Sequence, residues 1–441
     1  MKATLAEAAA IGGIWHDRVA DAPARSRALP VTLVVLPAAA FGLYWLSALV
    51  LAARNETFLF GADTILYMEL AKGDVIARLG SFYAFDRITR FHPLTTALAV
   101  AWMKALGPLT PWLTPQQLLK GMFSALGGLG VGAATAAFAA VVPRRQVALW
   151  GTIYAASLSV WYFSSIEESK VVTATLAAAY IAVYLRLRER WTARGAALLT
   201  GILLLACLNE IIAAFLVAIP VVDTLLRRGW SLRDGRWIAW HGLAAPAALV
   251  FLEAVVKPAT ASAASSGPAT EGASHLSMLL FYLSQNDFSL ATFYSFLVNW
   301  LFFSVAAPTL ETSLAPAAWP QYTAYFEAAV GGYLSSPITA ALVALFGVMA
   351  VASVLPRYRG ESGRDRTALV LALLAYAVLR GAFWFVVNPS ECLLFSSGTI
   401  LAHILMLAIL FAGSKLPGKR ALLTACALLL VVTNGTFIIG E

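Results

Sequence analysis

Residues 147–194 read VALWGTIYAASLSVWYFSSIEESKVVTATLAAAYIAVYLRLRERWTAR. Two apolar runs, 147–164 and 171–186, flank a polar turn, Ser164-Ser165-Ile166-Glu167-Glu168-Ser169-Lys170. The far end of each run meets arginines: Arg144 and Arg145 before the first, and Arg186, Arg188, Arg190 and Arg194 after the second. Apolar runs of roughly this length cross a bilayer as helices, because in hydrocarbon every backbone N–H and C=O must be paired within the segment. The stretch therefore predicts a helical hairpin that begins and ends at a basic face and turns at an acidic one.

The rest of the chain extends that pattern. Of 441 residues, 60% are hydrophobic and only 12% charged, about half the charged share of soluble domains, which excludes an ordinary soluble globule. Further apolar runs lie at 31–53, 118–142, 196–209, 211–226, 237–255, 337–355, 367–386, 396–412 and 420–438. The expected fold is an all-α polytopic membrane protein with about eleven transmembrane helices. Asn209 and Glu210 interrupt what would otherwise be one long helix, and a tight hairpin with those two at its tip fits better.

Short loops rich in Lys and Arg stay cytoplasmic. Arg18/Arg25/Arg27, Arg144/Arg145, Arg186–Arg194, Arg227/Arg228/Arg233/Arg236, Arg357/Arg359/Arg364/Arg366 and Lys415/Lys419/Arg420 all fall on one side of this arrangement. The N-terminus is then cytoplasmic and the C-terminus outside. The net charge of +8 reads as an orientation signal rather than a nucleic-acid footprint, which would need one accessible basic face. Residues 93–106 and 290–307 are read as helices lying in the outer interface, since spanning at either would turn basic loops outward. The chain divides into a cytoplasmic segment 1–30, a membrane module 31–255 with an outer segment 54–117, a second outer segment 256–336, and C-terminal helices 337–441. The first apolar stretch is too long for a cleavable signal and reads as an anchor. Three scattered cysteines make neither a disulfide framework nor a thiolate metal site.

Chemistry is expected on the outer face, where ionisable residues gather. The first outer segment carries Asp63, Tyr67 and Glu69, then Arg87, Arg90 and His92 before Pro93. Asp63 stands just beyond a helix end, where partial desolvation suits a general base. The adjacent carboxylates Glu167 and Glu168 at a bilayer boundary need a compensating cation, with Lys170 the nearest in sequence. Glu210 sits at its hairpin tip, and Glu391 follows Asn388-Pro389-Ser390. Arg380 lies about two turns inside an outer helix end. An arginine facing lipid there costs roughly 2 kcal/mol or more, so it should face protein or water and either pair with a carboxylate such as Glu391 or grip a phosphate. His241 and His275 lack a partner at ligand spacing. The sequons at Asn55 and Asn434 fall on the outer side of this arrangement. No nucleotide-binding loop is present, and the short inner loops leave no room for a nucleotide-donor domain.

At these residues the chain resembles the GT-C superfamily of membrane glycosyltransferases, in particular the protein O-mannosyltransferase and lipid A aminoarabinose transferase branch. The resemblance rests on Asp63, Tyr67 and Glu69 at the start of the first outer loop, on Arg90-Phe91-His92-Pro93 leading into an amphipathic helix, and on an acidic position at the next outer turn. It covers roughly 55–230, with 337–412 similar by hydropathy and the Glu391 region. The chain departs from the family in having Thr64 after Asp63 and Glu167/Glu168 where Asp is usual. The resemblance implies a sugar donor on polyprenyl phosphate and a lipid, glycan or protein acceptor, with no nucleotide. Asp63 would be the catalytic base of an inverting single displacement. Arg87, Arg90, His92, Lys170 and Arg380 would hold the donor phosphate, with Tyr67, Glu69, Glu210 and Glu391 also in the substrate site. Glu168, and less directly Glu167, would orient the acceptor or hold a divalent cation. The expected location is the bacterial inner membrane, active face outward. Two other classes stand beside this one: a transporter or flippase, whose path Glu210, Glu253 and Arg380 would mark, and an assembly subunit without activity.

Overall fold

The computed structural model describes residues 28–53, 92–189, 191–229, 231–256, 283–284, 288–307, 330–354, 361–387, 389 and 392–440. Among these the chain is helical, without strands. Helix α1 spans Ala28–Ala53, α2 Pro93–Leu106, α3 Pro115–Val141, α4 Arg144–Ala156, α5 Leu158–Ser165, α6 Lys170–Leu187, α7 Ala193–Asn209 and α8 Ala218–Arg228. They are followed by α9 Leu232–Gly242, α10 Ala244–Phe251, α11 Leu290–Val298, α12 Val330–Leu334, α13 Pro337–Val354, α14 Glu361–Val387, α15 Cys392–Ser396, α16 Ile400–Gly413 and α17 Lys419–Gly440. Six helices among the described residues are long and apolar enough to cross a membrane: Val31–Ala53, Pro115–Val141, Lys170–Leu187, Gly235–Val255, Gly363–Val387 and Lys419–Ile439. The protein is thus an all-helical, multi-pass membrane protein.

Local chemistry starts and stops these helices where the sequence changes character. Thr114 and Gln117 form a reciprocal capping box at the start of α3, with Pro115 in the first turn, where its missing N–H costs nothing. Gly229, at φ 76°, ends α8 in a conformation that L side chains rarely adopt. Small residues let α3 sit at the centre of the bundle. A Cβ on Gly128 would lie 2.9 Å from the Pro37 carbonyl oxygen of α1, and one on Gly127 would lie 2.1 Å from Ser164 Oγ. Both positions bring helices closer than any larger residue permits.

Burial is inverted relative to a soluble protein. On α14, Arg380 is fully buried while its neighbours Val378 and Leu379 are 56% and 45% exposed. An apolar outer surface over a polar interior is what lipid selects. The core is continuous from Tyr44 through Trp150, Tyr180 and Leu405 to Ile438, so the N- and C-terminal helices share it.

The expected hairpin at 196–226 is present in a modified form. Asp223 on α8 receives a bidentate pair from Arg188, just after α6, at 2.7 Å for each bond, and Arg227 pairs with Glu189 at 2.8 Å. Arg364 at the start of α14 donates to the Leu226 carbonyl. Lys170, at the other end of α6, lies beside Glu210. The chain therefore runs away from the arginine-rich end along α7, turns at Glu210, and returns to it by α8. The return leg begins as a 3-10 turn, Ile211–Val217.

Two apolar runs differ from their expected form. The run 147–164 is broken at Ser157, whose backbone is extended between α4 and α5. The break is repaired by segment 304–307: Leu158 N–H donates to the Val305 carbonyl and Ser159 N–H to the Ser304 carbonyl, both at 3.0 Å. Asn434 Nδ2 donates to the carbonyls of Ala156 and Val305, and its Oδ1 accepts from Ala307 N–H. Tyr44 OH closes the remaining Ala155 carbonyl. The helix expected at 290–307 runs through α11 into a π turn, Asn299–Phe303, and its end is buried against the α4–α5 break. Backbone irregularity at that depth persists only when protein groups pair it. The helix at 93–106 forms as expected and lies against α3, Trp102 Nε1 donating to the Leu118 carbonyl. Asn434 is fully buried and bonded through both side-chain polar atoms, and so acts as a structural clamp.

Candidate functional site

The turn end of the bundle gathers buried charge. Glu210 caps α7 in extended geometry, φ −155° and ψ 109°, which turns its carboxylate away from the helix axis into the bundle. There Arg380 Nη2 donates to Glu210 Oε2 at 2.6 Å, and Lys170 Nζ lies 3.9 Å from Oε1. Arg380 is fully buried, and Lys170 and Glu210 nearly so. The guanidinium lies against Gly398, where a Cβ would come within 2.7 Å of Arg380 Cζ. The Tyr376 hydroxyl also engages the Arg380 guanidinium and donates to the Gly398 carbonyl at 2.8 Å, while Glu210 Oε1 has no hydrogen-bond partner among the described residues. At this turn, outside the spanning segments, burial alone would raise the Glu210 carboxyl pKa. Arg380, Lys170 and His92 outweigh it and hold the group well below the usual carboxylate range.

Aromatic rings wall one side. Lys170 Nζ sits 4.8 Å over the Phe395 ring, Phe395 stacks on Trp384, and Trp384 lies one helical turn beyond Arg380. Trp384 Nε1 is a buried donor without a partner among the described residues. The triad of Lys170, Glu210 and Arg380 carries one net positive charge against this apolar wall.

Glu167 and Glu168 are both buried in the polar turn between α5 and α6. Lys170 was the expected partner for them, and the structure corrects this. Lys120, on the second turn of α3, forms the bond to Glu167 Oε2 at 2.8 Å, with both side chains fully buried, while Lys170 turns to Glu210. Ser169 Oγ donates to Glu168 Oε1 at 3.0 Å. Similarly, Arg380 pairs with Glu210, on another helix, and Glu391 lies outside the described residues. No three His, Cys, Asp or Glu side chains converge to hold a metal ion among the described residues.

His92 joins the same end of the bundle. Its Nδ1 lies 2.6 Å from the Asn209 carbonyl oxygen, and Thr95 Oγ1 donates to Asn209 Oδ1 at 2.5 Å. Asn209 Nδ2 donates to the Ser169 carbonyl and to Thr173 Oγ1, at 3.1 and 2.9 Å. Of the residues singled out from sequence, His92, Glu167, Glu168, Lys170, Glu210 and Arg380 therefore meet at one end. Asp63, Tyr67, Glu69, Arg87 and Arg90 lie outside the described residues. The sequence reading missed Lys120, Thr95 and Trp384. Of these, Lys120 carried a signal, being a lone cation inside an apolar run. His241 is a satisfied core histidine, bonded to Tyr180 OH at 2.6 Å and to Thr200 Oγ1 at 3.2 Å.

Such an arrangement suits an anion that is partly shielded from water: fixed donors, one surplus positive charge, and flat apolar surface beside them. No protein-family model and no curated protein matches this chain by sequence.

Proposed function

We propose that the protein is an integral membrane glycosyltransferase of the GT-C kind, moving a sugar from a polyprenyl-phosphate donor to an acceptor hydroxyl at the outer membrane face with inversion. The observation that carries the reading is the buried Lys170–Glu210–Arg380 triad, which has one surplus positive charge. A sugar-phosphodiester donor is a monoanion on an apolar tail, and the triad with its aromatic wall matches both parts. The leaving lipid phosphate gains charge as the glycosidic bond breaks, and cations already in place stabilise it without reorganising. In this reading Asp63 takes the acceptor proton, His92, Arg87 and Arg90 complete the phosphate contacts, Tyr67, Glu69 and Glu391 line the substrate site, and Glu168 orients the acceptor.

The topology that goes with this reading has about eleven spans, with the arginine-rich end cytoplasmic, the Glu210 end outside and the bacterial inner membrane as location. Arg188, Arg227 and Arg364 gathering at the end opposite Glu210 support that orientation. A transporter reading draws support from the helix break at Ser157, since broken helices mark transport sites. Among the described residues that break carries no charged side chain and its backbone groups are paired within the protein, so the charge-bearing end is the better site. Reconstitution in liposomes with a polyprenyl-phosphate sugar tests the proposal: sugar appearing on an acceptor supports it, and movement of intact donor across the bilayer without transfer replaces it with the transporter reading.

A further inference from the structure

The end of the bundle opposite Glu210 brings two helix starts and a cluster of cations together. Helix α3 runs from the Lys120–Glu167 pair to Val141, and α4 begins just beyond it at Arg144. Helix α16 runs from the Arg380 contact at Gly398 to Gly413, and α17 begins at Lys419. Helices α4 and α17 thus start at the same end, and Arg145 and Lys419 lie close enough to repel each other. Packing fixes the two starts. Trp150 of α4 meets the Phe411 ring of α16 edge-on at 6.2 Å, and Lys419 Nζ sits 5.7 Å over the same ring. Lys419 also donates to the Ala412 and Ser414 carbonyls, closing the end of α16.

Around this pair Arg144, Arg145, Lys415 and Arg420 are exposed, and none of the four has an ion-pair partner among the described residues. The start of α4 has no side-chain cap, so the N–H groups of its first turn add to the positive field. Ser414, 8% exposed, keeps its Oγ buried with no partner among the described residues, beside the carbonyl that Lys419 holds. Like charges gathered without acids repel, and an anion relieves them. Depth identifies the source of that anion. Helix α17 is long and apolar enough to cross a membrane and carries Lys419 and Arg420 in its first turn. Leu428, Val431 and Val432 are exposed further along it, beginning roughly 12 Å from Arg420. An anion bound here sits at headgroup depth, above apolar side chains that face lipid.

We propose that the starts of α4 and α17 and the loop between α16 and α17 form a binding site for an anionic glycerophospholipid. Arg144, Arg145, Lys415 and Arg420 hold its phosphate, and its acyl chains lie along α17. The site is separate from the transfer reaction and does not depend on it. A zwitterionic lipid brings its own ammonium with each phosphate, so unpaired cations select a headgroup of net negative charge.

The test is native mass spectrometry of the full chain in neutral detergent, titrated with phosphatidylglycerol, with phosphatidylcholine and inorganic phosphate as comparison probes. Wild type should bind phosphatidylglycerol about tenfold or more tightly than phosphatidylcholine. Arg145→Gln/Arg420→Gln should weaken the phosphatidylglycerol complex roughly 30-fold, the weight of two cations facing an anionic headgroup. Arg194→Gln/Arg236→Gln removes the same charge from exposed positions on α7 and α9, and should leave that complex nearly unchanged. Thermal unfolding gives a second readout. Without anionic lipid Arg145→Gln should unfold no earlier than wild type, because it relieves Lys419, and added phosphatidylglycerol should stabilise wild type far more than this variant. Equal loss of binding in both double variants overturns the proposal, as does phosphatidylcholine binding as tightly as phosphatidylglycerol. Displacement of the lipid by an equal concentration of inorganic phosphate would show a free-anion site and overturn the lipid assignment.

Discussion

Arg380 and Glu210 are 170 positions apart in sequence and 2.6 Å apart in the structure, on helices that meet at the turn end of the bundle. Each explains the other's depth: the arginine finds a carboxylate in place of lipid, and the carboxylate finds two cations in place of water. Replacing Glu210 with Ala leaves both cations buried and uncompensated, which should cost roughly 3 to 5 kcal/mol. Thermal unfolding in detergent measures this, and the Arg380→Met/Glu210→Met double variant should lose much less than the sum of the two single changes. Because the Glu210 carboxyl is held low, its contribution is complete above the ordinary carboxylate range. It should be lost only in strongly acid solution, as pH falls through the folded-state value.

The Lys120–Glu167 pair should behave as an independent unit. Lys120→Met should destabilise by roughly 3 kcal/mol, since it leaves Glu167 charged and enclosed. In a double-mutant cycle with Glu167→Gln the coupling should exceed about 1 kcal/mol. Lys170→Met should instead couple to Glu210, and coupling of Lys170 to Glu167 would contradict the observed pairing.

Asn434 gives a prediction about modification as well as stability. Asn434→Ala orphans the Ala156 carbonyl and the Ala307 N–H at the α4–α5 break, the Val305 carbonyl keeping its bond from Leu158 N–H, and each orphaned group costs about 1 to 3 kcal/mol when left unpaired, so unfolding should come at lower temperature. Expression in a glycosylating host should add no glycan at Asn434, as read by mass spectrometry.

Much of the bundle was legible because bilayer length and basic loops act locally: every apolar run proposed as a span is helical in the structure apart from short breaks. The break at Ser157 was not legible, because its partners, Val305 and Asn434, are distant in sequence and carry no pattern of their own. The site was half legible for the same reason. A buried charge announces that it needs a partner, as Arg380 did, yet several carboxylates satisfy that need equally on paper. Only packing selects Glu210 for Arg380 and Lys120 for Glu167. Asn209 was visible as an interruption, while its four bonds to His92, Thr95, Ser169 and Thr173 follow from helix register alone.

Orientation is open to direct labelling. Cys207 and Cys426 are buried, so a Cys392→Ser background gives little native signal. Trp112→Cys, exposed between α2 and α3, should react with an impermeant thiol reagent from outside intact cells, and Lys415→Cys, exposed between α16 and α17, only after lysis. The reverse pattern would invert the topology.

The central claim is sugar transfer from a lipid-phosphate donor with Asp63 as base, and the most direct measurement is transfer by reconstituted wild-type and Asp63→Asn proteins, folded and inserted alike. Loss of the base should reduce turnover by about 100-fold to 10,000-fold while donor binding persists. Equal turnover by the two proteins would contradict the claim.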